Sequence, residues 1–263
     1  MKANYKNWVP VSLLMELGGG TVLAGVLMVV FGMSPLLSEG LLKSILCGVF
    51  FVLTVILLIS TVWMVALHLA FSYDGERQMA RHIIEGIAAY VTLPEGGCGL
   101  DVGCGSGALT IACARKNPKA RMVGVDRWGR EYWSFSQNLC EENAKAECVE
   151  NTSFVSGDAT KLDFADESFD AVTSNYVYHN IPSRNRQDLL LETLRTLKKG
   201  GSFAIHDIMS KSRYGDMEAF AQKLRELGYE EVRLVDTTAG MFMTRKEARW
   251  MDLSGSTLLV GKK

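Results

Sequence analysis

The sequence predicts an α/β domain on a doubly wound, mainly parallel sheet, preceded by two transmembrane helices. Three observations lead there. Of 28 basic and 29 acidic side chains in 263 residues, only Lys2, Lys6, Glu16, Glu39 and Lys43 fall within the first 72. From Tyr73 onward, short apolar runs alternate with segments of helical spacing, the pattern of strands joined by crossover helices. A glycine-rich turn, "GLDVGCGSGALT" at 99–110, follows the first of those strands. The chain therefore reads as a membrane hairpin (1–72) and a soluble α/β domain (73–263).

Residues 17–38 and 44–73 contain no Asp, Glu, Lys or Arg, and about 20 apolar residues suffice to cross a bilayer. At about 1.5 Å per residue the second stretch would reach some 45 Å, so it should tilt or emerge into the interface. Gly18, Gly19 and Gly20 interrupt the first stretch, but glycine in membrane helices permits close helix contact. The polar segment 34–40 supplies the turn. Lys2, Lys6, Arg77 and Arg81 flank the hairpin and outnumber Lys43 in its turn, which places both termini and the soluble domain in the cytoplasm, on a multi-pass protein of the cell membrane. Glu16 and His68 lie near span ends and read as snorkelling groups.

In the soluble part, "GERQMARHIIEGIAAYV" (75–91) has helical spacing. "CGLDVG", "ARMVGVD", "TSFVSGD", "FDAVTSN", "SFAIHDI", "EVRLVD" and "STLLVGK" read as seven strands. "ALTIACARK", "EYWSFSQNLCEENAK", "RQDLLLETLRTL" and "MEAFAQKLRELG" read as helices, the third ended by Gly200-Gly201. Ligands of such sheets bind at the carboxyl ends of the strands, near the switch in strand order.

The strand exits carry the chemistry. The loop spacing is G-x-G-x-G, through Gly103, Gly105 and Gly107, rather than the G-x-G-x-x-G of dinucleotide sites. Asp101 at its mouth would repel a pyrophosphate but suits a ligand that carries a sulfonium and an ammonium. Strand two ends in Asp126, an acid able to accept from both ribose hydroxyls. Strand three ends in Asp158-Ala159: the acid can accept from an adenine amine and the Ala159 N–H can donate to the ring. Asp158 would equally serve as a turn cap. Strand four exits through "TSNYVYHNIP", where a reacting group would lie.

Taken in this order, residues 73–263 resemble a class I S-adenosylmethionine-dependent methyltransferase of the small-molecule type, with its Rossmann-like seven-stranded sheet and antiparallel last strand. The resemblance implies that Asp101, Gly103, Cys104 (through its backbone), Gly105 and Gly107 cradle the methionine end. It implies that Asp126 holds the ribose, that Asp158 and Ala159 hold the adenine, and that Arg127 and Asn175 belong to the cofactor site. The hairpin is not part of the usual family pattern. His179 is the candidate general base, needed only if the acceptor must lose a proton; alternatively it bonds locally. His206 and Asp207 are further candidates, and Tyr176 and Tyr178 line either the pocket or the core. Trp128 packs on adenine or belongs to the surface or core. Met241, Phe242 and Met243 form either a core cap or an acceptor-pocket wall.

The remaining composition narrows the partners. A net charge of −1 offers no basic field for nucleic acid. The six cysteines show no C-x-x-C pair and no zinc spacing, so no metal is expected and a reducing compartment is. The expectation is a membrane-anchored methyltransferase acting on a small or lipid-like acceptor. The rivals are a protein or peptide methyltransferase and a non-enzymatic membrane scaffold that retains the cofactor fold.

Overall fold

The computed structural model describes residues 2–33, 40–129 and 134–263. The turn expected at 34–40 therefore lies almost wholly outside the described residues, as does the start of the helix expected from Glu131. Two compact units emerge: Asn7–Ala80, and residues 2–6 together with Arg81–Lys263. These compact units divide after Ala80, and the extreme N-terminus groups with the α/β unit.

The first unit holds α1 (Val11–Met33) and α2 (Leu41–Phe71), both long and apolar enough to cross a membrane. They run antiparallel along a seam of small residues. Thr21 and Thr61 share a hydroxyl hydrogen bond of 3.2 Å, and Gly20, Gly25 and Gly32 sit against Leu57, Thr54 and Cys47. Small residues let membrane helices approach closely. Val22, Val26, Phe51, Ile59 and Val62 point outward and are exposed. His68 ties the two ends of the hairpin together. Its Nδ1 lies 2.7 Å from the Val9 carbonyl, and its own carbonyl accepts from the Asn7 amide at 2.7 Å. A carbonyl only accepts, so Nδ1 carries the proton.

The second unit begins with α3 (Met79–Ala88), shorter than the spacing at 75–91 suggests. Its strands are β1 (Cys98–Val102), β2 (Arg121–Asp126), β3 (Thr152–Ser156), β4 (Phe169–Asn175), β5 (Leu197–Ile208), β6 (Glu230–Asp236) and β7 (Ser256–Lys262). They form one sheet in the order β3-β2-β1-β4-β5-β7-β6. β1 to β5 are parallel, and β7 runs antiparallel between β5 and β6. Strand order reverses between β1 and β4, so their exits flank the switch point. Helices α4 (Ala108–Lys116), α5 (Gln137–Ala146), α6 (Arg186–Arg195) and α8 (Met217–Glu226) supply the crossovers, with short helices α7 (Lys211–Tyr214) and α9 (Arg245–Trp250). Leu100, Val172, Leu190, Ile205 and Leu259 are fully buried in one core cluster.

Gly200-Gly201 do not end a helix. α6 stops at Arg195, and both glycines lie inside β5, where its register with β4 shifts between Phe169 and Ala171. Gly200 has φ 78° and is one of the four residues, 198–201, that stand opposite Asp170 alone, which makes it part of a strand irregularity rather than a cap.

Candidate active site

The loop after β1 turns through three left-handed glycines, Gly103 (φ 73°), Gly105 (φ 56°) and Gly107 (φ 80°). Its first N–H groups are anchored to the end of β2: those of Gly103 and Cys104 donate to the Val125 carbonyl at 2.7 and 3.1 Å. The Gly105 N–H donates to Asp126 Oδ2 at 2.9 Å. Asp126 Oδ1 accepts from the Trp128 N–H at 2.8 Å, and the Trp128 indole donates to the Gly105 carbonyl at 2.9 Å. The ribose-acid candidate and the loop are therefore one bonded unit, with Trp128 folded onto it and Arg127 exposed beside it. Each carboxylate oxygen keeps a further lone pair to offer.

Asp101 stands differently from the sequence expectation. It does not open at the mouth of the loop but lies beneath it, 1% exposed. Its oxygens accept from Thr110 Oγ1 at 2.6 Å and Thr173 Oγ1 at 2.9 Å. Burial pushes its carboxyl up to about 7 despite those hydroxyls. It is thus only partly charged at neutral pH, and it pins α4 and β4 to the base of the loop.

Asp158 is exposed and forms the turn cap that its neighbours suggest: Oδ1 accepts from the Thr160 N–H at 2.8 Å. That bond holds its carboxyl below the ordinary range, against a small opposing effect of burial. Ala159 is half-buried against the core.

The exits of β4 and β5 carry a second cluster. The chain leaves β4 through Tyr176, whose φ of 55° is left-handed for a residue with a side chain, a conformation that clusters at functional sites. The following turn, Tyr178–Asn180, brings His179 Nδ1 to 2.5 Å from Asp207 Oδ1 at the end of β5. Asp207 also accepts from the His179 N–H, from its neighbour Ile208 N–H and from the Tyr214 hydroxyl. Burial works to raise the Asp207 carboxyl, but these donors outweigh it and hold it below the usual carboxylate range. An anion there fixes the proton of neutral His179 on Nδ1 and leaves Nε2 as a base. The His179 side chain keeps 15% of its surface open.

The neighbouring groups complete this side. His206 Nδ1 lies 2.9 Å from Asn175 Oδ1 and Nε2 lies 2.9 Å from Thr237 Oγ1. Burial drives His206 down to about 3, so it stays neutral. Asn175 is thereby turned toward β5. The Tyr176 ring stacks near His206, at 4.6 Å between centroids, and its hydroxyl shares a 2.8 Å bond with Ser256. Phe242 closes over His206 at 5.4 Å, while Met241 is exposed. Tyr178 is a core residue, bonded to Thr193. The two clusters meet at Gly103, where an added Cβ would come within 2.3 Å of the Val177 side chain. Sequence reading did not single out Tyr214, Thr237 or Ser256; each is an ordinary polar residue until the fold gives it a partner.

Residues 100–205 match a family described as a methyltransferase domain. The match places a methyltransferase domain at these residues. A ubiquinone/menaquinone biosynthesis C-methyltransferase of Desulfotalea psychrophila is 30% identical to it over 165 residues, 63% of this chain and 60% of that one. A demethylmenaquinone methyltransferase of Staphylococcus aureus is 38% identical over 104 residues, 39% of each chain. The methyltransferase domain thus spans only part of these relatives. Among solved structures, the cyclase SpnF has a TM-score of 0.55 at 18% identity, over 73% of this chain and 85% of its own. A geranyl diphosphate methyltransferase in complex with GPP and sinefungin has 0.52 at 13%, over 70% and 82%. These likenesses establish the fold, and that a cyclase shares it shows why the reaction must be argued from the site.

S-adenosylmethionine is the cofactor of the domain, and the loop fits it. Where Gly103 and Gly107 are closed by packing, a Cβ at Gly105 would meet, among the described residues, only Phe135, at 4.0 Å. Among those residues the loop is therefore open at Gly105, where a ligand can lie against the backbone, with Asp126 at its edge.

Proposed function

We propose that this protein transfers a methyl group from S-adenosylmethionine to a small, lipophilic acceptor whose nucleophile must first lose a proton. The observation that carries the reading is the His179–Asp207 pair beside the glycine loop. A methyltransferase that only aligns its acceptor needs proximity and orientation; a buried carboxylate fixing an imidazole is machinery for moving a proton.

In this reading the backbone at Gly103–Gly107 receives the methionine end, Asp126 with Arg127 takes the ribose, and Asp158 and Ala159 border the adenine. Bound there, the cofactor supplies an electrophilic methyl on a sulfonium centre. His179 Nε2 accepts the acceptor's hydroxyl proton, and Asp207 stabilises the imidazolium that results. Tyr214 and the His179 and Ile208 N–H groups keep Asp207 ionised in its buried position. The Tyr176 ring, partly exposed and set between His179 and His206, offers an uncharged aromatic side suited to a flat apolar ring, with Phe242 packed behind His206. A phenolic or quinol-like acceptor meets both requirements. The names of the partial relatives, which act in quinone biosynthesis, point the same way.

The hairpin would anchor the domain at a bilayer, where apolar acceptors concentrate. The flanking Lys2, Lys6, Arg77 and Arg81, against Lys43 alone in the turn, support a hairpin with both ends on the cytoplasmic side. Reporter fusions at both termini should respond as cytoplasmic.

The test is an assay of the full chain in lipid vesicles with labelled S-adenosylmethionine and a panel of acceptors. We expect label on a reduced quinone that has an unsubstituted ring position, detected by mass spectrometry. Label on peptides alone would replace this reading with a protein methyltransferase, and cofactor binding without transfer to any acceptor would leave a scaffold.

A further inference from the structure

Residues 2–6 precede the first apolar helix, yet they pack as part of the α/β unit. Their attachment is specific. On α5, the Asn143 side chain clamps the main chain of Asn4 from both directions. Oδ1 accepts the Asn4 N–H at 2.7 Å, and Nδ2 donates to the Asn4 carbonyl at 3.1 Å. The same Nδ2 donates to the Ser106 carbonyl at 2.9 Å. Ser106 lies inside the glycine loop, so one carboxamide joins three segments that are remote in sequence.

The arrangement is buried and coupled to the loop at other points. Asn143 is 2% exposed and Tyr5 is 7% exposed. One helical turn before Asn143, the Cys140 thiol donates to the Gly105 carbonyl at 3.2 Å. Asn4 Oδ1 accepts the Lys6 N–H at 3.2 Å, and Lys6 turns the chain away with φ 57°. Both carbonyls at the open part of the loop, those of Gly105 and Ser106, are thus held from α5. The Gly105 carbonyl is also held by the Trp128 indole.

We propose that Asn143 is a positioning residue for the cofactor loop and that residues 2–6 are a strap that completes it. The hairpin is then an insertion within the catalytic unit rather than a leader in front of it. A carboxamide whose two ends are satisfied by Asn4 is fixed in the one orientation that donates to Ser106. Without the strap it is free to rotate, and the loop loses its rigid support on the α5 side. The inference rests on the reading that this loop holds S-adenosylmethionine.

The clamp grips the main chain of Asn4, which makes it testable by substitutions that spare the core. In full-length protein, Asn4→Ser keeps the N–H, the carbonyl and a side-chain acceptor, and should bind S-adenosylmethionine within about twofold of wild type. Asn4→Pro removes the N–H, and Asn143→Ala removes the clamp. Each should weaken binding roughly tenfold, and the double variant should be no weaker than Asn143→Ala alone, because both break one link. Turnover at saturating cofactor should stay within about twofold for Asn4→Pro, a split between KM and kcat that general destabilisation would not produce. Calorimetry reads the affinities and steady-state kinetics the split. If Asn143→Ala fails to fold, Asn4→Pro against Asn4→Ser decides. Equal affinity in those two overturns the strap. Wild-type protein that fails to bind the cofactor overturns instead the reading on which the strap rests.

Discussion

At the exits of β2 and β3, carboxylates are held by main-chain N–H groups: Asp126 by Gly105 and Trp128, and Asp158 by Thr160. At the exits of β4 and β5, side chains hold one another: His179 and Asp207, Tyr214 and Asp207, His206 and Asn175, Tyr176 and Ser256. The first kind of site is assembled by main-chain bonds, within a turn at Asp158 and between neighbouring strand exits at Asp126, and presents a rigid surface for a ligand. The second is assembled only when distant segments meet, and it can poise a proton. A methyltransferase that must bind one invariant cofactor and activate a particular acceptor has use for both.

Breaking the second side alone gives the largest expected effect. His179→Ala should lower turnover by roughly 10²-fold or more while leaving cofactor affinity intact. Asp207→Asn should fall by a similar factor, and the double variant by little more, because the two act as a unit. Steady-state kinetics with parallel calorimetry would show this; a loss below about threefold at His179 would return it to a local hydrogen-bonding role.

Asp101 joins the two sides through Thr110 and Thr173, and it should report as a pH dependence. The folded protein raises its carboxyl from 3.8 to about 7 through burial, so it retains a proton that the unfolded chain releases. This group's contribution to stability therefore falls as pH rises through the window from about 4 to 7 and is level above it. Asp101→Asn does not titrate. Its stability relative to wild type should improve by about 2–3 kcal/mol between pH 5 and 8, read from urea midpoints. A difference that does not move with pH would mean Asp101 is ionised in the fold.

Breaking the first side comes next. Asp126→Ala should weaken S-adenosylmethionine binding by about 1–3 kcal/mol through loss of a charged acceptor. Its kcat at saturating cofactor should change less than its affinity, the reverse of His179→Ala. The smallest effect is expected at the Tyr176 ring. Tyr176→Phe removes one hydroxyl bond to Ser256 and should cost about 1 kcal/mol of stability, with cofactor affinity unchanged by calorimetry.

The same contrast decided what could be read from the chain. All seven strands were legible, because apolar runs and helical spacing alternate and each strand carries its own pattern. So was the glycine turn after β1, since three glycines at that spacing announce left-handed backbone. The position of Asp101 was not: its threonine partners come from α4 and β4, and only burial reveals that it faces inward. His179 could be named but not partnered, since Asp207 lies on another strand. Gly200-Gly201 read as a helix cap because glycine after a helix usually is one, whereas here they lie where the β5 register with β4 shifts, and their main chain bonds to Lys263 instead. Asn143 read as one polar residue in a polar helix, and its meaning rests on residues at the opposite end of the chain.

His68 has a consequence for how the chain closes on itself. By joining Asn7 and Val9 to the end of α2, it makes the hairpin a closed excursion whose two ends coincide. The entropy of closing a loop grows only with the logarithm of its length, and here the excursion is already closed by its own packing. Meeting Asn143 therefore requires little additional loss of chain freedom from Asn4, although most of the folded domain's sequence lies between them and the C-terminus. Replacing the two helices with a short flexible linker should leave that meeting intact. Beginning the chain at Tyr73 should not, and the two proteins would differ in cofactor affinity while sharing every residue of the sheet.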